Sequence, residues 1–265
     1  MNEKGRETMC IVSFSYKTHT QYPLIIAANR DEFYIRPTEQ AHIWENAPHI
    51  LAGKDAQKGG TWLGVSNKGR MVAITNFRDP KLAESGTFSR GKIATDFLQT
   101  EVMAAFFARD LQENRDLYGP FNVLLYDGDK LIHYNNITDE IMEVPPGIHC
   151  ISNATINTPW PKAESLKAAL QKVVEQEEFS DDDLFRILLD QTRAADDLLP
   201  STGVPLELEQ KLSSTFIHFE GYGTRSSTVI RLNGESWDFA ERTFENGQQV
   251  AQKEFHFAIE KKLPR

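Results

Sequence analysis

Short apolar, β-branched runs separated by polar turns dominate the first third of the chain. Cys10–Tyr16 and Tyr22–Asn29 are two such runs with polar residues between them, the pattern of a hairpin. Trp62–Ser66 and Met71–Asn76 flank the turn tripeptide Asn67-Lys68-Gly69 and predict a second hairpin. Phe121–Tyr126 and Lys130–Tyr134 flank Asp127-Gly128-Asp129 and predict a third, and Ile148–Ser152 reads as one more short strand.

The period then changes. Gly91–Leu117 carries apolar residues at 93, 94, 97, 98, 102, 103, 106, 107 and 111, a helical spacing. Pro161–Gln176 and Ser180–Arg193 form a second helical block. Ser180 is a good N-cap with Asp183 three residues on, a short version of the capping box. Asp181, Asp182 and Asp183 fall in the first turn, where the helix dipole favours anions, so the acidic run needs no ligand. Strands return at Thr215–Phe219, Ser227–Leu232, Glu235–Phe244 and Glu254–Ile259, with Asn233-Gly234 a strong hairpin signal. Strands cluster and hairpins dominate, which predicts α+β rather than βαβ architecture. No repeat, linker or boundary divides the chain, so residues 9–265 are expected to form one domain.

Composition narrows the function. The 265 residues carry a net charge of −9, against binding to phosphate backbones, so no nucleic-acid partner is expected. No apolar run approaches the length of a membrane span. Cys10 and Cys150 are the two cysteines, no disulfide framework, which fits a reducing, cytoplasmic setting. The seven histidines never fall at i, i+4, and neither a metal nor a cofactor is expected.

The candidate chemistry begins at Met9-Cys10-Ile11. If translation starts at Met9 and that methionine is trimmed, Cys10 carries a thiol and a free α-amine, a self-contained nucleophile and base. Residues 1–8 are polar and aperiodic, and Glu3-Lys4-Gly5-Arg6-Glu7 can be written in purine-only codons, as a translated ribosome-binding site would be. A mis-read start, a tail and a removed propeptide all fit this extension. Asn29-Arg30-Asp31-Glu32 closes an apolar strand and reads as a polar rim or as a solvated loop; a guanidinium there would favour a nearby thiolate. Gly59-Gly60-Thr61-Trp62-Leu63-Gly64 lacks the Lys-Ser/Thr of a phosphate loop and suits close backbone approach, with Trp62 covering a pocket or the core. Asn76 and Asn153 end strands, where an amide can donate to an oxyanion or serve a turn. Arg225 lies in the loop Gly221-Tyr222-Gly223-Thr224-Arg225-Ser226 and suits a carboxylate or a plain turn, and Cys150 reads as a small core residue.

Together these pieces resemble the NRDE family, the group of transport and Golgi organisation proteins. The resemblance rests on Met9-Cys10-Ile11, Ala27-Ala28-Asn29-Arg30-Asp31-Glu32-Phe33, Gly59–Gly64, Thr75-Asn76, Ser152-Asn153-Ala154, Thr158-Pro159-Trp160-Pro161-Lys162 and Tyr222–Ser226. That family is similar to N-terminal-nucleophile hydrolases of the penicillin V acylase and bile salt hydrolase type. The resemblance implies a four-layer αββα sandwich of two antiparallel sheets between helix layers. It implies a linear-amide hydrolase with Cys10, Arg30, Asp31, Asn76, Asn153 and Arg225 as catalytic residues, and Asn29, Trp62 and Tyr222 against the substrate. The alternative it implies is a non-catalytic carrier of haem or of lipid and acyl-CoA, with Trp44, Trp62 and Trp160 lining an apolar pocket. Arg30 and Asp31 are adjacent here, whereas the hydrolases separate Arg from Asp by two residues. Neighbours on a regular strand point to opposite faces, so both reach one site only if the strand has ended or bulges.

Overall fold

The computed structural model describes residues 9–78 and 86–260. The extension over residues 1–8 lies outside them. The chain opens with β1 (Met9–Tyr16), β2 (Leu24–Phe33), β3 (Thr38–Trp44), β4 (Ala47–Asp55), β5 (Leu63–Ser66) and β6 (Met71–Asn76). Helices α1 (Arg90–Gln99) and α2 (Ala104–Glu113) follow. Next come β7 (Phe121–Tyr126), β8 (Leu131–Asn135), β9 (Glu140–Glu143) and β10 (Gly147–Ile151). Helices α3 (Pro161–Val174), α4 (Asp181–Leu188) and α5 (Leu206–Leu212) precede β11 (His218–Phe219), β12 (Tyr222–Leu232), β13 (Ser236–Glu245) and β14 (Gln248–Ala258).

The strands form two antiparallel sheets. One runs β10-β1-β2-β12-β13-β14, with β11 beside β12; the other runs β3-β4-β5-β6-β7-β8-β9. Strand alternation builds the layers. Val12, Phe14 and Tyr16 of β1 and Leu24, Ile26 and Ala28 of β2 enter the core between the sheets. Ile11, Ile25 and Ala27 turn the other way and pack under Leu166 and Leu170 of α3 and Leu184 and Phe185 of α4. On the far side, Val72, Ile74 and Val123 meet Ile93, Phe97 and Ala108 of α1 and α2. The result is helix, sheet, sheet, helix, as the resemblance implies. Both faces of the central strands are buried, which is why they read as continuous apolar runs.

The helical run predicted over 91–117 is broken. Thr100 and Met103 are extended, and the side chain of Asp127, from the β7–β8 turn, accepts the Ala104 N–H at 2.7 Å and starts a new helix. The Ser180–Asp183 capping box forms as its sequence predicts. That helix stops at Leu188 rather than Arg193, where Asn29 Nδ2 donates to the Leu188 carbonyl at 2.8 Å.

Candidate active site

Cys10 pairs with Arg30 across β1 and β2, so both side chains stand on the face toward the second sheet. β2 runs as one strand through Phe33 with no extra residue of its own. Arg30 and Glu32 therefore share the face of Cys10, and Asp31 points to the helix side. The irregularity falls on the neighbouring strand, between Thr224 and Ser226 of β12. Cys10, Arg30, Glu32, Trp62 and Asn76 surround a cavity of about 350 Å³ that also reaches Arg36, Asp55, Lys58 and Arg90.

Arg30 is fixed on three sides. Its Nη1 donates to Thr38 Oγ1 at 3.1 Å and its Nη2 to Glu32 Oε2 at 3.3 Å. Its guanidinium carbon lies 4.2 Å from the centre of a Trp62 ring. Trp62 in turn rests on Gly53, where an added Cβ would come within 2.6 Å of the indole. Glu32 Oε1 accepts the Phe33 N–H at 2.8 Å, and Glu32 Oε2 also lies 3.4 Å from Arg36 Nε. Arg36 reaches Asp55 at 2.6 Å, so a chain of alternating charge leads outward from the thiol. The wall opposite is the first turn of α1. It sits close because Gly60 packs backbone to backbone on Gly91, a contact that a Cβ would close to 2.4 Å.

Burial pushes the Cys10 thiol up to about 12, helped by the Asp31 and Glu32 carboxylates; Arg30 and the Asp31 backbone N–H pull the other way. Met9, before it, is wholly buried. Its N–H donates to the Tyr222 hydroxyl at 2.7 Å and its sulfur accepts from Arg78 Nη2 at 3.4 Å. Met9 stands opposite Asp31 in the ladder. Asp31 Oδ1 accepts from Thr224 Oγ1 at 2.7 Å, while its Oδ2 is buried without a hydrogen-bond partner among the described residues. Burial raises the Asp31 carboxyl, and the Lys162 ammonium is the largest influence opposing that rise.

The other expected site residues divide. Asn76 and Trp62 line the cavity. Asn153 does not: its Nδ2 donates to the Asn76 carbonyl at 2.9 Å, which fixes the end of β6. Ser152 Oγ donates to the Cys10 carbonyl at 3.2 Å. Arg225 Nη1 donates to the carbonyls of Phe33, Tyr34 and Arg36 and so shapes the turn that carries Arg36. Asn29 faces the helices, bonded to Leu188, Thr215 and Ser227. Tyr222 stands beside Met9 in the apolar group of Leu212 and Ile217. Glu32, named in the polar rim but given no role there, lines the cavity, and its spacing of two from Arg30 was the available signal. Lys162 carried no such signal except its place in a motif.

The description "Transport and Golgi organisation 2" matches residues 9–246. The human Transport and Golgi organization protein 2 homolog is 32% identical over 257 residues, covering 89% of this chain and 93% of that one. The Drosophila melanogaster protein of that name is 26% identical over 272 residues, covering 89% and 92%. Among solved structures, a mutant of the conjugated bile acid hydrolase from Clostridium perfringens is similar with a TM-score of 0.48 and 11% identity, covering 96% of this chain and all of that one. A Caenorhabditis elegans N-acylethanolamine-hydrolyzing acid amidase ortholog gives 0.42 and 12%, covering 83% and 92%. The length and identity of the first of these matches establish that the chain belongs to the Transport and Golgi organisation 2 family.

Proposed function

We propose that this chain is a cysteine-dependent hydrolase of linear amides in small molecules, active once Cys10 is its first residue. The observation that carries the reading is the setting of Cys10. Its thiol opens into a cavity beside Arg30, and the residue before it lies opposite a carboxylate oxygen that has no partner among the described residues. With Met9 gone, the α-amine of Cys10 begins where that peptide bond was, within reach of Asp31 as its acceptor. The amine takes the thiol proton as sulfur attacks the amide carbon. Arg30 favours the developing thiolate, and the Asn76 side chain, on a strand end held by Asn153, donates to the oxyanion. The C–N bond then breaks as the α-ammonium returns its proton to the leaving amine. Water, deprotonated by the same α-amine, cleaves the thioester and releases the acid, and the thiol is restored.

The names of the relatives speak of transport and Golgi organisation. A carrier of haem or lipid would call for an apolar chamber. The cavity at Cys10 is walled by Arg30, Glu32, Arg36 and Asp55, which suits a polar amide better.

The test compares three proteins on a panel of N-acyl amides: a chain whose intact mass shows Cys10 first, a chain that keeps Met9, and Cys10→Ala. Turnover is expected from the first alone. Loss of the positioned base costs the Met9-bearing chain on the order of 100-fold or more. Equal hydrolysis by Cys10→Ala, with an unchanged circular dichroism spectrum, would overturn the reading.

A further inference from the structure

The cations that border the cavity at Cys10 are not equivalent. Arg30, Arg36, Lys58 and Arg90 stand there against Asp31, Glu32 and Asp55, a positive surplus in a chain whose net charge is −9. Arg30 is held by Thr38, Glu32 and the Trp62 ring, and Arg90 Nη1 donates to the Pro120 carbonyl at 2.9 Å. Arg225 is turned to the carbonyls of the turn after β2. Arg36 and Lys58 differ from these. Arg36 Nε and Nη2 both donate to Asp55 Oδ2, at 3.2 and 2.6 Å, and its Nη1 has no partner among the described residues. Lys58 borders the cavity, and its Nζ is likewise unpaired among those residues.

Two turns bring this pair together. Arg36 lies between β2 and β3, and Lys58 follows β4. The Ala56 N–H donates to the Pro37 carbonyl at 3.1 Å, which stitches one turn to the other. The second turn also closes on itself. Asp55 Oδ1 accepts the N–H groups of Gln57 and Lys58 at 2.9 and 3.0 Å, and the Asp55 carbonyl accepts the Gly59 N–H at 2.7 Å. Both carboxylate oxygens of Asp55 are thus committed to the frame, which leaves two cationic donors unused at the mouth of the cavity.

We propose that Arg36 and Lys58 form a subsite for a carboxylate, so that the amides taken by this cavity carry a carboxylate apart from the bond that Cys10 attacks. This rests on the hydrolase reading and narrows its substrates. The guanidinium Nη1 and the ammonium each donate a charge-assisted hydrogen bond to the anion. The surplus of cations over carboxylates at the wall is one, which matches a monoanion rather than a phosphate dianion. The sequence of charges Arg30, Glu32, Arg36 leads outward from the thiol, so the anion binds remote from the reacting carbon and orients the amide toward it.

The test reads labelling rather than turnover. Bromoacetamides of ω-amino acids of graded length place a carboxylate at graded distances from the carbon that alkylates Cys10. Their methyl esters are the neutral reference, and peptide mass spectrometry separates Cys10 from Cys150. At one tail length or more, the acid is expected to label Cys10 about tenfold faster than its ester. High salt weakens the advantage. Lys58→Gln, an exposed substitution, cuts it to about threefold, and Lys58→Glu removes or reverses it. Equal rates for acid and ester at every length overturn the proposal, as does an advantage that Lys58→Glu leaves untouched. Failure of every tailed reagent where iodoacetamide still reacts would show that the cavity admits no such ligand and overturns it equally. Acid preference in labelling without turnover of any amide would count against the hydrolase reading and leave the subsite standing. Where amides are cleaved, N-acyl amino acids set against ω-carboxyacyl alkylamides tell which half of the substrate carries the carboxylate.

Discussion

While Met9 precedes it, Cys10 has the wrong protonation state for a nucleophile. Burial and two nearby carboxylates outweigh Arg30 and hold the thiol at about 12, so the thiolate is a trace species at neutral pH. Its folded value lies above the ordinary thiol range, and the reactive form grows as pH rises. Alkylation of Cys10 by iodoacetamide in the Met9-bearing chain should therefore climb about tenfold per pH unit from neutral to about pH 10 without levelling. Peptide mass spectrometry separates it from Cys150. A plateau near pH 8 would contradict the buried setting. Arg30 is the side chain that lowers the thiol most, so Arg30→Gln should slow the same reaction at any pH in that range. Arg30→Gln also strips a cation from Glu32, which is 3% exposed. Because Arg36 and the Phe33 N–H remain on that carboxylate, the stability loss should be about 2 kcal/mol, below the range for a buried charge left alone. Urea midpoints measure it.

The elements decide where the cavity walls stand, and the glycine-dense segment shows how. Gly60 and Gly91 touch through their backbones, so Gly60→Ala has no side chain to push aside. It should cost about 3 kcal/mol, the upper end of overpacking, and open the wall between α1 and Trp62. Gly59 has φ +77° and, among the described residues, nothing within 4 Å of an added Cβ, so Gly59→Ala should cost only the left-handed penalty of about 1–2 kcal/mol. Equal losses in chemical denaturation would remove the close-approach explanation. The same segment marks what the sequence discloses. Close approach was legible in Gly59–Gly64, as were the hairpins built from fully buried strands and the Ser180 cap. β3, β4 and β9 were not. β3 has register shifts after Glu39 and Ile43 that erase the period of two, β4 carries Pro48, and β9 is a charged edge strand. At the site, Cys10, Arg30 and Trp62 were readable as neighbours. Asn29, Asn153, Tyr222 and Arg225 were not readable as lying outside the cavity, because their roles are set by groups distant in sequence. The pleat itself placed Glu32 with Arg30, and period two alone carries that information.

At the scale of the molecule, one buried ion pair ties the two sheets together at the site. Arg78 leaves β6 of the second sheet, reaches Glu209 of α5, lies 5.1 Å from the Trp160 ring at the start of α3, and donates to the sulfur of Met9 in the first sheet. Its backbone N–H donates to the Asn153 carbonyl at 2.7 Å. Arg78 and Glu209 are 3% and 5% exposed at their side chains, so neither charge has water to fall back on. Removing one partner leaves the other desolvated, whereas removing both leaves no charge to solvate. Glu209→Gln should therefore cost about 3–5 kcal/mol, and Arg78→Met a similar amount. The double variant Arg78→Met, Glu209→Met should cost clearly less than the two single losses summed, by at least about 1 kcal/mol, because the residues act as a unit. The pair also joins elements that frame the thiol, so opening there should precede global unfolding in the single variants. Alkylation of Cys10 in sub-denaturing urea should rise in Glu209→Gln and return toward the wild-type rate in the double variant. Strict additivity in the denaturation cycle, with alkylation unchanged across all four proteins, would mean that the sheets are held at this end by packing alone.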